Sequence, residues 1–123
     1  MENSTSVAIV DDEKDLVRTY ELLFKRRHIP LSFVAYDGHS AIDKFNNARE
    51  KPGVIIIDYR LPDMDGFDLM RKVLAIEPGT KIVFISGDDS VRREALDAGA
   101  KVFLKKPTDI KGISDTITAL INS

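Results

Sequence analysis

The chain of 123 residues contains no cysteine and no tryptophan. Without thiols there is no disulfide framework and no thiolate metal site, which suits a reducing compartment. No apolar run approaches the roughly 18 residues needed to cross a bilayer. The opening Met-Glu-Asn-Ser-Thr-Ser lacks the basic and apolar regions of a secretory leader. Neither sign of charge dominates: 18 Lys and Arg against 20 Asp and Glu leave a formal net charge of −2. That balance gives no general pull toward nucleic acid or an anionic membrane. Together these absences predict a cytoplasmic domain with no membrane contact and no direct nucleic-acid binding. The two histidines, His28 and His39, sit among polar neighbours and read as solvated.

What is present is ordinary for a globular domain: 43% hydrophobic and 31% charged residues, enough for one core covered on both sides. Residues 1–6 read as a polar N-terminal extension and 7–123 as the folded domain. Apolar strand-like runs end near positions 10, 36, 57, 85 and 104, and each gap has room for a loop, a helix and a second loop. Runs such as Val54-Ile55-Ile56-Ile57 suit strands buried on both faces. Leu31 to Tyr36 is more mixed and suits a sheet edge. Between strands the period becomes 3.6. Leu16, Val17, Tyr20, Leu23 and Phe24 predict a helix over about 14–26, and Phe67, Met70, Val73 and Leu74 predict another after Gly66. Ser40 to Ala48 forms a weaker third. Ser90 is expected to cap a fourth helix ending at Ala98-Gly99, and Asp109 a fifth whose exposed face carries Asp109, Lys111, Ser114, Asp115 and Thr118. Five such βα units with right-handed crossovers predict an α/β doubly wound parallel sheet, order 2-1-3-4-5, with helices on both faces.

Polar residues stand where the predicted strands end. Asp11 and Asp12 follow Val7 to Val10, Asp58 follows Val54 to Ile57, Ser86 follows Ile82 to Ile85, and Lys106-Pro107 follows Val102 to Leu104. Strand ends of an open parallel sheet share one crevice. Three carboxylates there repel one another unless a cation relieves them, and an all-oxygen donor set points to a hard divalent ion, Mg²⁺ above all. Lys106 and Ser86 add a positive clamp and a hydroxyl donor, which with a metal and a nucleophile are the parts of phosphoryl transfer. Asp58 is the nucleophile candidate, because carboxylates form acyl phosphates. Arg60 and Asp88, two residues past Asp58 and Ser86, border the same crevice and are expected to face each other over it.

These stretches resemble the receiver domain of two-component response regulators, which has a flavodoxin-like (βα)5 fold. The likeness runs from about Val7 to the end through Val10-Asp11-Asp12-Glu13, Asp58-Tyr59-Arg60-Leu61-Pro62-Asp63-Met64-Asp65-Gly66, Ile85-Ser86-Gly87, Ala98-Gly99-Ala100 and Phe103-Leu104-Lys105-Lys106-Pro107. The resemblance implies that Asp58 accepts a phosphoryl group from a sensor histidine kinase or phosphotransfer protein. It implies that Asp12, Asp58 and the Arg60 backbone carbonyl ligate Mg²⁺, with Asp11 acting largely through water. Lys106, which directly precedes the proline, would contact the phosphoryl group, and the Lys106–Pro107 bond is expected to be cis. Ser86 and Phe103 take the hydroxyl and aromatic switch positions, and Phe103 brings no hydroxyl. A downstream effector or attached output domain is implied but not named.

Taken singly, each motif has a plainer explanation. An Asp pair after a strand caps a helix, Lys106 suits a surface, Ser86 a turn, and Phe103 a core. Two other functions use similar parts. A small Mg²⁺-dependent aspartyl-phosphate phosphatase would place a second acid two residues after its nucleophile, where this chain has Arg60. A pseudo-receiver, binding partners without phosphorylation, would not need all five site residues. The expectation is a switch, not an enzyme, beyond its own phosphotransfer and dephosphorylation.

Overall fold

The computed structural model describes residues 5–123, so most of the expected N-terminal extension, residues 1–4, lies outside the described residues. In chain order the elements are β1 (Val7–Val10), α1 (Lys14–Arg26), β2 (Leu31–Ala35), α2 (Gly38–Asn47), β3 (Val54–Asp58), α3 (Gly66–Ile76), β4 (Lys81–Ser86), α4 (Arg92–Asp97), β5 (Val102–Lys105) and α5 (Ile110–Ile121). The strands form one sheet in the order β2-β1-β3-β4-β5, parallel at every pairing. The doubly wound order follows from the alternation of strands and helices, and β2 is an edge, as its mixed composition suggested.

Alternation along the strands divides the core in two. Ala8, Val10, Ile55, Ile57, Ile82 and Phe84 face Phe45 of α2 and Met70 and Val73 of α3. Their neighbours Val7, Ile9, Val54, Ile56, Val83 and Ile85 face α1 and α5 through Val17, Phe24, Ile113 and Ile117. Each central strand is therefore buried on both sides, which is why its sequence is continuously apolar. No helix among the described residues is long and apolar enough to cross a membrane.

Helix ends explain most of the loop geometry. Asp37, Asp65 and Asp109 cap α2, α3 and α5, accepting from Ser40, Asp68 and Gly112 backbone N–H groups. The chain turns away after α1 at His28, which takes a left-handed φ of 56°, a conformation more usual for glycine just past a helix end. Gly99, with φ 121°, turns the chain out of α4.

Two expectations are corrected. Ser90 is not the cap of α4. Asp88 accepts from both the Ser90 N–H and the Ser90 hydroxyl, which winds Asp89–Val91 into a 3₁₀ turn and delays α4 to Arg92. Ser114 is not on the exposed face of α5: it is fully buried, with no hydrogen-bond partner for its hydroxyl. It lies beside Ile113, which is also fully buried.

Candidate functional site

Sheet register brings the polar strand ends together. Val10 pairs with Ile57, so Asp11 and Asp58 emerge side by side from adjacent strands. Asp58 pairs with Ile85, and Ser86 with Lys105; the Lys106 N–H then donates to the Ser86 carbonyl at 2.9 Å. The Lys106–Pro107 bond is cis, as expected.

Asp11, Asp12 and Asp58 each offer a carboxylate oxygen, and the three oxygens lie within 4.8 Å of one another. Asp11 and Asp58 are buried and Asp12 is exposed. Lys106 Nζ lies 3.1 Å from Asp11 Oδ2, 3.1 Å from Asp58 Oδ1 and 2.7 Å from Glu13 Oε1. Burial raises the Asp58 pKa to about 6, and the Asp11 charge adds to this against the opposing pull of Lys106. Burial also raises Asp11, with a Glu13 N–H bond and Lys106 opposing it. For Lys106, burial favours the neutral amine, but the Glu13 hydrogen bond and the charges of Asp11 and Asp58 outweigh it and raise the pKa. Oxygen donors this close, destabilised as anions, fit a hard divalent cation, whose ligands sit about 2.0–2.6 Å from the metal.

Ser86 Oγ is buried and accepts from the Asp88 N–H at 2.9 Å, which leaves its own proton free to donate. Phe103 is buried in the apolar core, 6.3 Å from Phe84 between ring centroids, so it is already turned inward. Arg60 has its guanidinium 5.6 Å from the Tyr59 ring and its backbone bridged to Asp65. The expected Arg60–Asp88 pair is not formed: among the described residues no ion pair joins them. The Asp88 carboxylate is bound by Ser90 instead, and that, more than the Arg60 charge, lowers its pKa.

Three participants carried no functional assignment in the sequence. Glu13 is a third acceptor for Lys106; its signal was adjacency to Asp11-Asp12. Asp63 accepts from the Gly38 N–H at 2.8 Å and the His39 N–H at 2.9 Å, and from the His39 ring. These bonds outweigh burial and lower its pKa to about 2. His39 is thus exposed but not merely solvated, and the loop after Asp58 is fastened to the start of α2. Gly66 closes that loop's other end. A Cβ there would lie 2.8 Å from the Asp58 carbonyl oxygen and 3.0 Å from Tyr59 Cα, so glycine permits the close approach.

A five-stranded doubly wound sheet with an acidic cluster and a lysine at its carboxyl edge defines the receiver class. The chain belongs to the response regulator receiver domain family, whose model matches residues 7–118. It is 30% identical to the chemotaxis protein CheY of Thermotoga maritima over 103 residues, 82% of this chain and 84% of that one. It is 27% identical to the uncharacterized transcriptional regulatory protein YesN of Bacillus subtilis over 119 residues. That match covers 94% of this chain but only 32% of YesN, so the chain spans about a third of that relative's length. Its fold matches a solved chain in the CheX–CheY–BeF3–Mg²⁺ complex from Borrelia burgdorferi with a TM-score of 0.87, at 24% identity, over 96% of this chain and 90% of that chain.

Proposed function

We propose that this domain is a phosphorylation-controlled switch in which Asp58 receives a phosphoryl group from the phosphohistidine of a sensor histidine kinase or phosphotransfer protein. The observation that carries this is the single ammonium of Lys106 bridging Asp11 and Asp58 from neighbouring strands. A buried nucleophile beside a fixed cation is what phosphoryl transfer needs, since most of its catalysis is positioning and charge stabilisation.

In the step, an Asp58 carboxylate oxygen attacks phosphorus, the P–N bond of the donor breaks as the P–O bond forms, and imidazole leaves with the electron pair. Asp12, Asp58 and the Arg60 carbonyl would hold Mg²⁺, with Asp11 acting through water. Mg²⁺ supplies neutralisation of the phosphoryl oxygens. Lys106 exchanges its Asp58 contact for a phosphoryl oxygen while keeping Glu13 and Asp11 as anchors. Ser86 donates its free hydroxyl proton to a second oxygen, which withdraws it from the Asp88 N–H. The face built from α4, β5 and α5 responds through Phe103 and is read by a downstream effector or output domain. The Borrelia complex, of like fold and carrying BeF3 and Mg²⁺, supports this assignment. The activity is confined to phosphotransfer and loss of the domain's own phosphoryl group, in the cytoplasm.

Incubation with acetyl phosphate and Mg²⁺, followed by intact-mass measurement, tests the proposal. One added phosphoryl group per chain is expected. Rapid turnover of the donor without a labelled protein would indicate a phosphatase, and neither outcome a pseudo-receiver.

A further inference from the structure

The Phe103 ring is covered by Arg92, which lies outside the acidic crevice. The Arg92 guanidinium carbon lies 4.7 Å from the Phe103 ring centroid. The same guanidinium donates through Nε and Nη2 to Asp89 Oδ1, at 3.2 and 3.1 Å. Asp89 opens the 3₁₀ turn that follows Asp88, and the Asp88 N–H donates to Ser86 Oγ at 2.9 Å. A continuous run of contacts therefore joins the hydroxyl at the phosphoryl crevice to the aromatic ring: Ser86, Asp88, Asp89, Arg92, Phe103.

The chemistry of each link is directional. A guanidinium is flat and binds an aromatic face while keeping its edge for a carboxylate. Asp89 fixes that edge, so Arg92 is aimed and not merely nearby. The ring also stacks on Phe84 of the neighbouring strand, so Phe103 has a flat partner in each of Arg92 and Phe84. Rotation outward would break the Arg92 contact.

We propose that Arg92 is a positioning residue for phosphoryl binding at Asp58: it holds Phe103 in its buried orientation and so favours the state that receives the phosphoryl group. The proposal rests on the proposed switch function and adds to it that the inward Phe103 ring accompanies movement of Ser86 toward the phosphoryl oxygens. Arg92 touches neither donor nor acceptor. Its effect is on populations, because an apparent dissociation constant rises as the binding-competent fraction falls. An exposed cation–π contact shifts such an equilibrium by about two- to fivefold, equal to about 0.4–1 kcal/mol at 1.4 kcal/mol per tenfold.

Fluoroberyllate with Mg²⁺, titrated by amide and aromatic NMR, is the probe. Arg92→Ala is expected to weaken its binding about two- to fivefold and to shift the Phe103 ring signals. Arg92→Lys should recover part of the loss. Arg93→Ala, a neighbouring exposed arginine paired with Asp97, should leave affinity unchanged. In a Phe103→Leu background, Arg92→Ala should have no further effect. A purely structural role would lower the thermal midpoint without this dependence on Phe103. Equal or tighter binding by Arg92→Ala, or the same loss in the Phe103→Leu background, overturns the inference. Failure of the wild type to bind fluoroberyllate overturns the proposed function itself, and the inference with it.

Discussion

Lys106 Nζ stands 3.1 Å from Asp58 Oδ1 and 3.1 Å from Asp11 Oδ2, so one cation bridges carboxylates from two adjacent strands. Without it, two buried acids would face each other across the β1–β3 seam. The protein thus holds its acidic crevice together with a covalently attached cation.

Removal of that cation has a defined consequence. Lys106→Ala is expected to destabilise the protein at pH 7 by about 1–3 kcal/mol, because it leaves Asp11 and Asp58 without a counter-charge. Mg²⁺ should then stabilise the variant more than the wild type, since the metal replaces the missing charge. Chemical denaturation with and without Mg²⁺ measures both effects; an equal Mg²⁺ increment in the two proteins contradicts the account.

Titration of Asp58 gives a pH dependence of known sign. Its folded pKa of about 6 exceeds the model-peptide value of 3.8, so the folded state holds this proton more tightly. That contribution to stability is complete below about 3.8 and is lost as pH rises through about 6. In chelator, unfolding free energy should fall over this window, and Asp58→Asn should reduce the fall by about 1–3 kcal/mol. Raised in the same direction, Asp11 leaves a residual slope. Coincident profiles for wild type and Asp58→Asn would refute the burial argument.

Asp63 tests the loop that follows Asp58. Asp63→Ala removes an acceptor from the Gly38 and His39 N–H groups and should cost about 1–2 kcal/mol. His39→Ala leaves those two bonds intact and should cost about 0.5 kcal/mol or less. The sign with pH is opposite to that of Asp58. Asp63 has a lowered pKa of about 2, so its stabilisation is present above 3.8 and lost as pH falls through about 2. Equal costs for the two variants would show that the side-chain pair, not the backbone capping, holds the loop.

Gly66 tests whether the packing at the end of β3 governs the proposed phosphorylation. Gly66→Ala forces a methyl group against the Asp58 carbonyl and the Phe84 ring, with an expected cost of about 1–3 kcal/mol. Displacement of the β3 end should also slow labelling by acetyl phosphate severalfold. Normal stability and normal labelling together would mean that the close approach is not required.

Much of this was legible because burial and function leave different marks. The central strands are apolar on both faces, so Val54 to Ile57 announced β3, and polar residues just past the apolar runs of β1, β3, β4 and β5 announced the crevice. What was missed depended on contacts between distant segments. Nothing local to Ser114 distinguishes it from the exposed Asp115; only the tertiary packing of α5 buries it. Ser90 had the right residue type for a cap, but Asp88, two residues earlier, supplied the stronger acceptor. The Asp63–His39 contact joins the loop after β3 to the start of α2, a spacing that carries no period. Glu13 was adjacent to the acids, but its pairing with Lys106 required the Lys106 side chain to reach from beyond the edge strand β5 to the carboxyl ends of β1 and β3.

The most direct test is the phosphorylation of Asp58 itself. Wild-type protein and Asp58→Asn are incubated with acetyl phosphate, with Mg²⁺ or with chelator, and weighed intact. The account predicts one phosphoryl group on the wild type only in the presence of Mg²⁺, and none on Asp58→Asn under either condition. Undiminished labelling of Asp58→Asn, or labelling of the wild type that is indifferent to chelator, would contradict it.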